Sequence, residues 1–407
     1  SLTNPNLRSF CLSLYVRAGS IFEDSSNNGI SHLFEHVVFR NIKNKYENFY
    51  ELLAMHGLCF QGSTYKKFVS FTIDGPQHEF DFAIEILCGL FDEIKLTSHD
   101  FNNEKGRIKA EIREKDRRSS LDFYFDSIVW KNSEVEKIVL GYCKTVDRVS
   151  VKKINEFRQK VLSAGNCFVY ATGNISDENL DALNKKISEL DISQSNPGFT
   201  NTVTVNDEFF HREKKIWIKN NYWHYIQIGF DVDCSKYPGG VYDLLYALLF
   251  NGDKALVYNY LSEDNPIIYS YDSAFAQYDN VGNINFSFEV DRNKIEDVFK
   301  TVVELLNAAK DGRFNFEANL NYEMFNWELD LDKPSNLNWN MACYNHILKT
   351  EPIDYSDEFY GRFRVTKKQV TDAAKDIFRR CNMTVAMKGN KKKINTDAIE
   401  KILESLD

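Results

Sequence analysis

The chain has 407 residues, 43% of them hydrophobic and 27% charged, with a formal net charge of −9. That length supports two domains with a core each, while the acidic balance argues against a nucleic-acid partner and favours cationic peptides or partners. No apolar run reaches the length of a membrane span. The eight cysteines include no C-x-x-C pair, which predicts buried free thiols in a reducing, cytoplasmic setting rather than disulfides.

Alternating polarity over residues 12–18 predicts a half-buried strand, stopped by Gly19-Ser20. Asn28-Gly29 reads as a loop and Ser31 as a helix start. That helix carries His32-Leu33-Phe34-Glu35-His36, an H-x-x-E-H pattern. His32 and His36 lie one turn above each other, so both rings can reach a single metal ion. Glu35 stands beside that axis, within reach of a proton on water that the ion activates. Leu33, Phe34, Val37, Val38 and Phe39 make the helix apolar and therefore buried. Two imidazoles and a carboxylate are costly there unless something satisfies them, and a zinc ion satisfies all three. The plainer alternative, a His pair on a solvated face, is outweighed by the loop and helix start directly before the motif.

Phe49, Leu52, Leu53 and Met55 give residues 46–56 one apolar helical face, ended by Gly57. Residues 59–73 read as a strand pair or one long bent strand, and residues 80–91 as a helix. Residues 98–118 predict a charged helix in which Glu104 and Glu111 share the side of Phe101, Ile108 and Ile112. The other charges there read as a solvated face. A helix over 149–161, a strand over 167–173 and a helix capped by Ser176 follow. Ser, Asn, Pro and Thr dominate residues 191–206, so the chain divides into a domain over 1–195, a linker over 196–212 and a domain over 213–407.

Beyond the linker the pattern restarts. A strand over 225–232, a loop at Pro238-Gly239-Gly240 and a helix over 242–250 parallel the start of the first half. Strands within 269–290, helices over 294–309 and 365–380, and a strand over 383–389 complete the repeat. Alignment puts Asp243, Tyr246 and Ala247 at the places of His32, Glu35 and His36. The chain reads as a duplicated α+β unit in which only the first copy keeps the metal chemistry.

With these motifs the chain resembles the pitrilysin family of inverzincins. The resemblance runs from Tyr15-Val16-Arg17-Ala18-Gly19-Ser20 through the H-x-x-E-H helix to strands ending at Gly173 and Gly389. It implies an α+β fold of two homologous domains, each a mainly antiparallel sheet packed with helices, forming half of a clamshell chamber. The segment from Glu104 to Ile112 is similar to the family's E-x-G-x-I-x-x-E-I. That implies Glu111 as the third Zn2+ ligand with His32 and His36, Glu104 as its support, and Glu35 as general base of a zinc metalloendopeptidase. Gln61-Gly62-Ser63-Thr64 is nearest to the family's substrate-pairing Asn-Ala-x-Thr strand. Tyr269 matches a substrate-holding Tyr of the second half, but Ser262 stands where the family carries an Arg. That departure points to a heterodimer with a homologous chain supplying the Arg/Tyr pair, and to maturation of a precursor, leader or bacteriocin peptide. The rival expectations are a general peptide-degrading homodimer and a non-catalytic scaffold of the same fold, which is expected to have lost the motif residues kept here.

Overall fold

In the computed structural model, the residues described are 1–118, 120–194, 198–199, 203, 205, 207–210, 215–343 and 363–406. The linker expected over 196–212 therefore lies partly outside the described residues. Strands β1 (Leu2–Thr3), β2 (Ser9–Arg17), β3 (Cys59–Thr64), β4 (Phe68–Pro76) and β5 (Cys167–Gly173) form one sheet, in the order β1-β5-β2-β4-β3. Strands β6 (Ile216–Asn220), β7 (Tyr225–Asp233), β8 (Asp272–Tyr278), β9 (Val281–Glu289) and β10 (Met383–Gly389) form a second, in the order β6-β10-β7-β9-β8. Each sheet has one parallel pair, β1 with β5 and β6 with β10; its other pairs are antiparallel. The shared strand order makes the duplication visible. Residues 59–73 resolve into the β3–β4 pair rather than one bent strand.

The period-two pattern of β2 puts Phe10, Leu12, Leu14 and Val16 on one face, buried with Val69, Phe71 and Ile73 of β4. The helix Ile30–Lys43 lays Leu33, Phe34, Val37 and Val38 into the same core, each no more than 2% exposed. Burial of a side chain this size stabilises by about 1.5–3 kcal/mol. Four of them anchor a helix whose other side carries ionisable groups.

The chain forms two compact units. One comprises Ser1–Arg118, Lys137–Asn201 and Glu328–Ile353, the other Ser119–Glu136, Thr202–Trp327 and Asp354–Asp407. Where the sequence suggests one cut, these units interleave. The helix Ser120–Val129 packs on β7 and β10 of the second sheet, and the helix Pro334–Ala342 packs on β2 and β5 of the first. Asn338, fully buried, fixes the latter: its amide donates to the Cys11 and Tyr170 carbonyls at 3.2 and 3.0 Å and accepts from the Tyr15 hydroxyl at 3.1 Å. All eight cysteines are free, but Cys59 is exposed and most of the others are only partly buried, which corrects the expectation of buried thiols. Among the described residues no helix is long and apolar enough to cross a membrane.

Candidate metal centre

The helix Ile30–Lys43 begins one residue before Ser31, at Ile30, and is preceded by Gly29, whose φ of 95° is left-handed. A Cβ on Gly29 would meet the Leu140 carbonyl oxygen at 2.9 Å. The Ser31 hydroxyl does not cap the helix; it accepts from the Gly19 N–H at 3.0 Å. The helix start is satisfied instead by Glu23, a residue the sequence did not single out. Its carboxylate, 4% exposed, accepts from the Gly29 N–H at 2.7 Å, the Ser31 N–H at 2.8 Å and the Asn28 amide at 2.8 Å.

Downstream, His32 and His36 meet Glu111 of the helix Ser98–Arg118. His32 Nε2 and His36 Nε2 lie 3.5 and 4.0 Å from Glu111 Oε2. One ligand atom from each of the three lies within 4.8 Å of the others. Ligands about 2.1 Å from a tetrahedral zinc are roughly 3.4 Å apart, so this donor set fits that ion with modest closure. Glu104, 2% exposed, is on the other edge of the His36 ring, with Oε2 3.6 Å from Nδ1. Arg40 and Arg107 hold Glu104 Oε1 from 3.8 and 3.4 Å. Burial works against a charged His36 ring, but Glu104, Glu35 and Glu111 outweigh it and hold its pKa above the ordinary value. Such an acid-rich surround attracts a cation.

Glu35 points toward β3. The Thr64 hydroxyl donates to Glu35 Oε2 at 3.0 Å. A Cβ on Gly62 would meet Glu35 Oε1 at 2.7 Å, so glycine is what lets the carboxylate come this close to the strand. Burial pushes the Glu35 carboxyl above its ordinary range, against the pull of His36 and the Thr64 hydroxyl, with Glu111 adding to the push. Strand β3, with Gln61, Gly62, Ser63 and Thr64, is an edge of its sheet.

Residues 1–141 match the family model described as Insulinase (Peptidase family M16), and residues 148–318 match the model described as Peptidase M16 inactive domain. The chain belongs to peptidase family M16. It is 21% identical over 315 residues to the uncharacterized zinc protease YmxG of Bacillus subtilis, a match that covers 75% of this chain and 75% of that protein. It is 23% identical over 172 residues to the β subunit of the mitochondrial-processing peptidase of Homo sapiens, covering 41% of this chain and 35% of that one. The crystal structure of a protease from Helicobacter pylori superposes with a TM-score of 0.80 at 17% identity, over 95% of this chain and 96% of that one.

In the second half of this M16 chain, the hydroxyl of Tyr246, which the sequence alignment puts at the place of Glu35, bonds the Ser273 hydroxyl at 2.8 Å. Tyr269 belongs to the second compact unit, is 98% exposed, and lines a cavity of about 670 Å³ with Trp223 and Arg292. Ser262 sits in the π-helical turn Asn259–Glu263.

Proposed function

We propose that this chain is a zinc metalloendopeptidase acting on peptides or precursor proteins. The observation that carries the reading is the convergence of His32, His36 and Glu111 with Glu35 on the same helix as the two histidines. Zinc, when bound, supplies Lewis acidity toward water and the peptide carbonyl. Glu35 takes a proton from the attacking water and delivers it to the leaving amine; burial raises its pKa toward the range a general base needs. Thr64 fixes which way Glu35 faces. Glu104 orients the His36 ring from its far edge, as carboxylates behind ligating histidines do. The free edge of β3 supports strand addition, with the peptide beside Gln61, Gly62, Ser63 and Thr64. Tyr269 without an accompanying Arg at Ser262 favours a two-chain enzyme, in keeping with a relative named as a subunit. Maturation of a dedicated precursor is the job such an enzyme would have.

The test is zinc content of this chain and peptide hydrolysis with a homologous second chain added, measured together. The wild type should hold about one zinc per chain. Glu111→Gln should lose most of it. Glu35→Gln should keep it and lose hydrolysis by about 10²–10⁴-fold. Glu104→Gln should keep metal with roughly 10–100-fold lower activity. A wild type that binds no zinc would make the chain a scaffold of the same fold.

A further inference from the structure

Within the first compact unit, a cavity of about 380 Å³ opens beside Glu35 and His36. Its floor is aromatic: Phe39 and Phe60 stack with ring centroids 4.5 Å apart. Its rim is cationic, formed by Arg40, Lys43 and Arg107. The three cations are not equivalent. Arg40 is held by Asp100 at 2.6 Å and by Glu104 at 3.8 Å. Arg107 reaches Glu104 at 3.4 Å and keeps 59% of its side chain exposed. Lys43 has no carboxylate partner among the described residues; its ammonium lies over the Tyr50 ring, 4.5 Å from the centroid. A cation–π contact positions an ammonium without using up its hydrogen-bond donors. Asp100 and Glu104 are matched by Arg40 and Arg107, and Glu35, the other carboxylate of the lining, is turned to the Thr64 hydroxyl, which leaves Lys43 as the cation of the rim with no carboxylate beside it among the described residues.

We propose that this cavity is a specificity pocket for a carboxylate on the substrate. The group is the side chain of an Asp or Glu next to the scissile bond, or the C-terminal carboxylate of a short peptide. Its methylene stem packs on Phe39 and Phe60, and its oxygens accept from Lys43 and Arg107. The net charge of −9 favours cationic peptides at long range, but that field is screened beyond about 8–10 Å. A donor at bonding distance decides the choice at one subsite. The proposal rests on the peptidase reading, so its test must be separable from that reading.

Fluorogenic peptides found by positional scanning are made in matched sets, with Glu, Gln or Leu at the residue flanking the cleaved bond, each with a free or an amidated C-terminus. Their kcat/KM is measured with the wild type, and their binding to zinc-loaded Glu35→Gln is followed by fluorescence anisotropy. Were the wild type to cleave none, the same sets would be built on a library peptide that Glu35→Gln binds. Glu should exceed Gln by about tenfold or more, and should also exceed Leu. Lys43→Met should bring the Glu-to-Gln ratio to about one, Lys43→Arg should retain it, and Lys43→Glu should shift preference to Lys. Because each ratio is taken within one variant, a loss of folded protein does not imitate the result. Dependence on the free C-terminus, with no effect of the flanking residue, would identify the terminal carboxylate as the ligand. Equal binding of Glu and Gln sets with either terminus, or a preference for Leu, would overturn the pocket whether or not the wild type cleaves. Selective binding of Glu peptides without any cleavage, by this chain alone or with a homologous second chain added, would overturn the peptidase reading and leave the pocket standing.

Discussion

Glu23 shows how a residue outside any motif sets up the chemistry. It lies seven positions before the helix Ile30–Lys43, yet its two oxygens accept three N–H donors around the helix start. His32 follows one residue after Ser31, so the first histidine inherits its position from that bond. Glutamine at this position keeps the shape but turns an N–H₂ toward backbone N–H groups that need an acceptor. Glu23→Gln should therefore destabilise the fold by roughly 1–3 kcal/mol, seen as a lower midpoint in thermal melts of the metal-free chain. It should also weaken zinc affinity without removing a ligand. An unchanged midpoint and unchanged affinity would show that the helix start is held by other groups. The sequence disclosed His32, Glu35 and His36 because their chemistry depends on spacing along one helix. It was silent on Glu23 because that bond depends on a loop folding back over the helix end.

The helices Ser120–Val129 and Pro334–Ala342 carry the same lesson at the scale of elements. Neither was anticipated, whereas Ser98–Arg118 begins where its capping residue puts it. For Pro334–Ala342 the reason lies in what it packs against. Helices on the apolar side of a sheet announce themselves with an apolar stripe. Pro334–Ala342 lies over the other face of β2, where Cys11, Ser13 and Tyr15 alternate with the core residues, and is held by the polar contacts of Asn338 together with buried Leu337, Met341 and Ala342. An asparagine inside a helix reads as a solvated residue, yet Asn338 is fully buried and bonded on both its oxygen and its nitrogen. Asn338→Ala leaves the buried Tyr15 hydroxyl without its acceptor, at a cost of roughly 1–3 kcal/mol. Urea unfolding should show that loss, and Asn338→Asp, which keeps an acceptor for Tyr15 but turns a buried carboxylate oxygen toward the Cys11 and Tyr170 carbonyls, should cost at least as much. Equal stability of Asn338→Ala and wild type would mean that Trp339, packed against Tyr65 and Phe68, holds the helix without help.

For the molecule as a whole, the two sheets share one strand order and have unequal chemistry. The first half holds the candidate metal centre; the second has Asp243, Tyr246 and Ala247 in the corresponding places. The residue proposed to hold substrate in the second half is Tyr269, which is exposed and lines a cavity with Arg292. At Ser262 the chain has a hydroxyl where the family resemblance implies a guanidinium, and a serine cannot supply the planar, charged fork that an Arg gives to a peptide carbonyl. We therefore expect the zinc-loaded chain alone to turn over its natural precursor slowly or not at all, and a homologous chain lacking H-x-x-E-H but carrying the Arg/Tyr pair to restore activity when added. Changing that added chain's Arg to Ala should abolish the gain, because the residues proposed as metal ligands and general base are in this chain and the Arg is not. Co-purification and mixing assays at matched zinc content provide the measurement. Full activity of this chain alone would remove the need for a second subunit. In that event Arg292 is the cation to change next, since it lines the same cavity as Tyr269, and Arg292→Ala should then raise KM for the precursor.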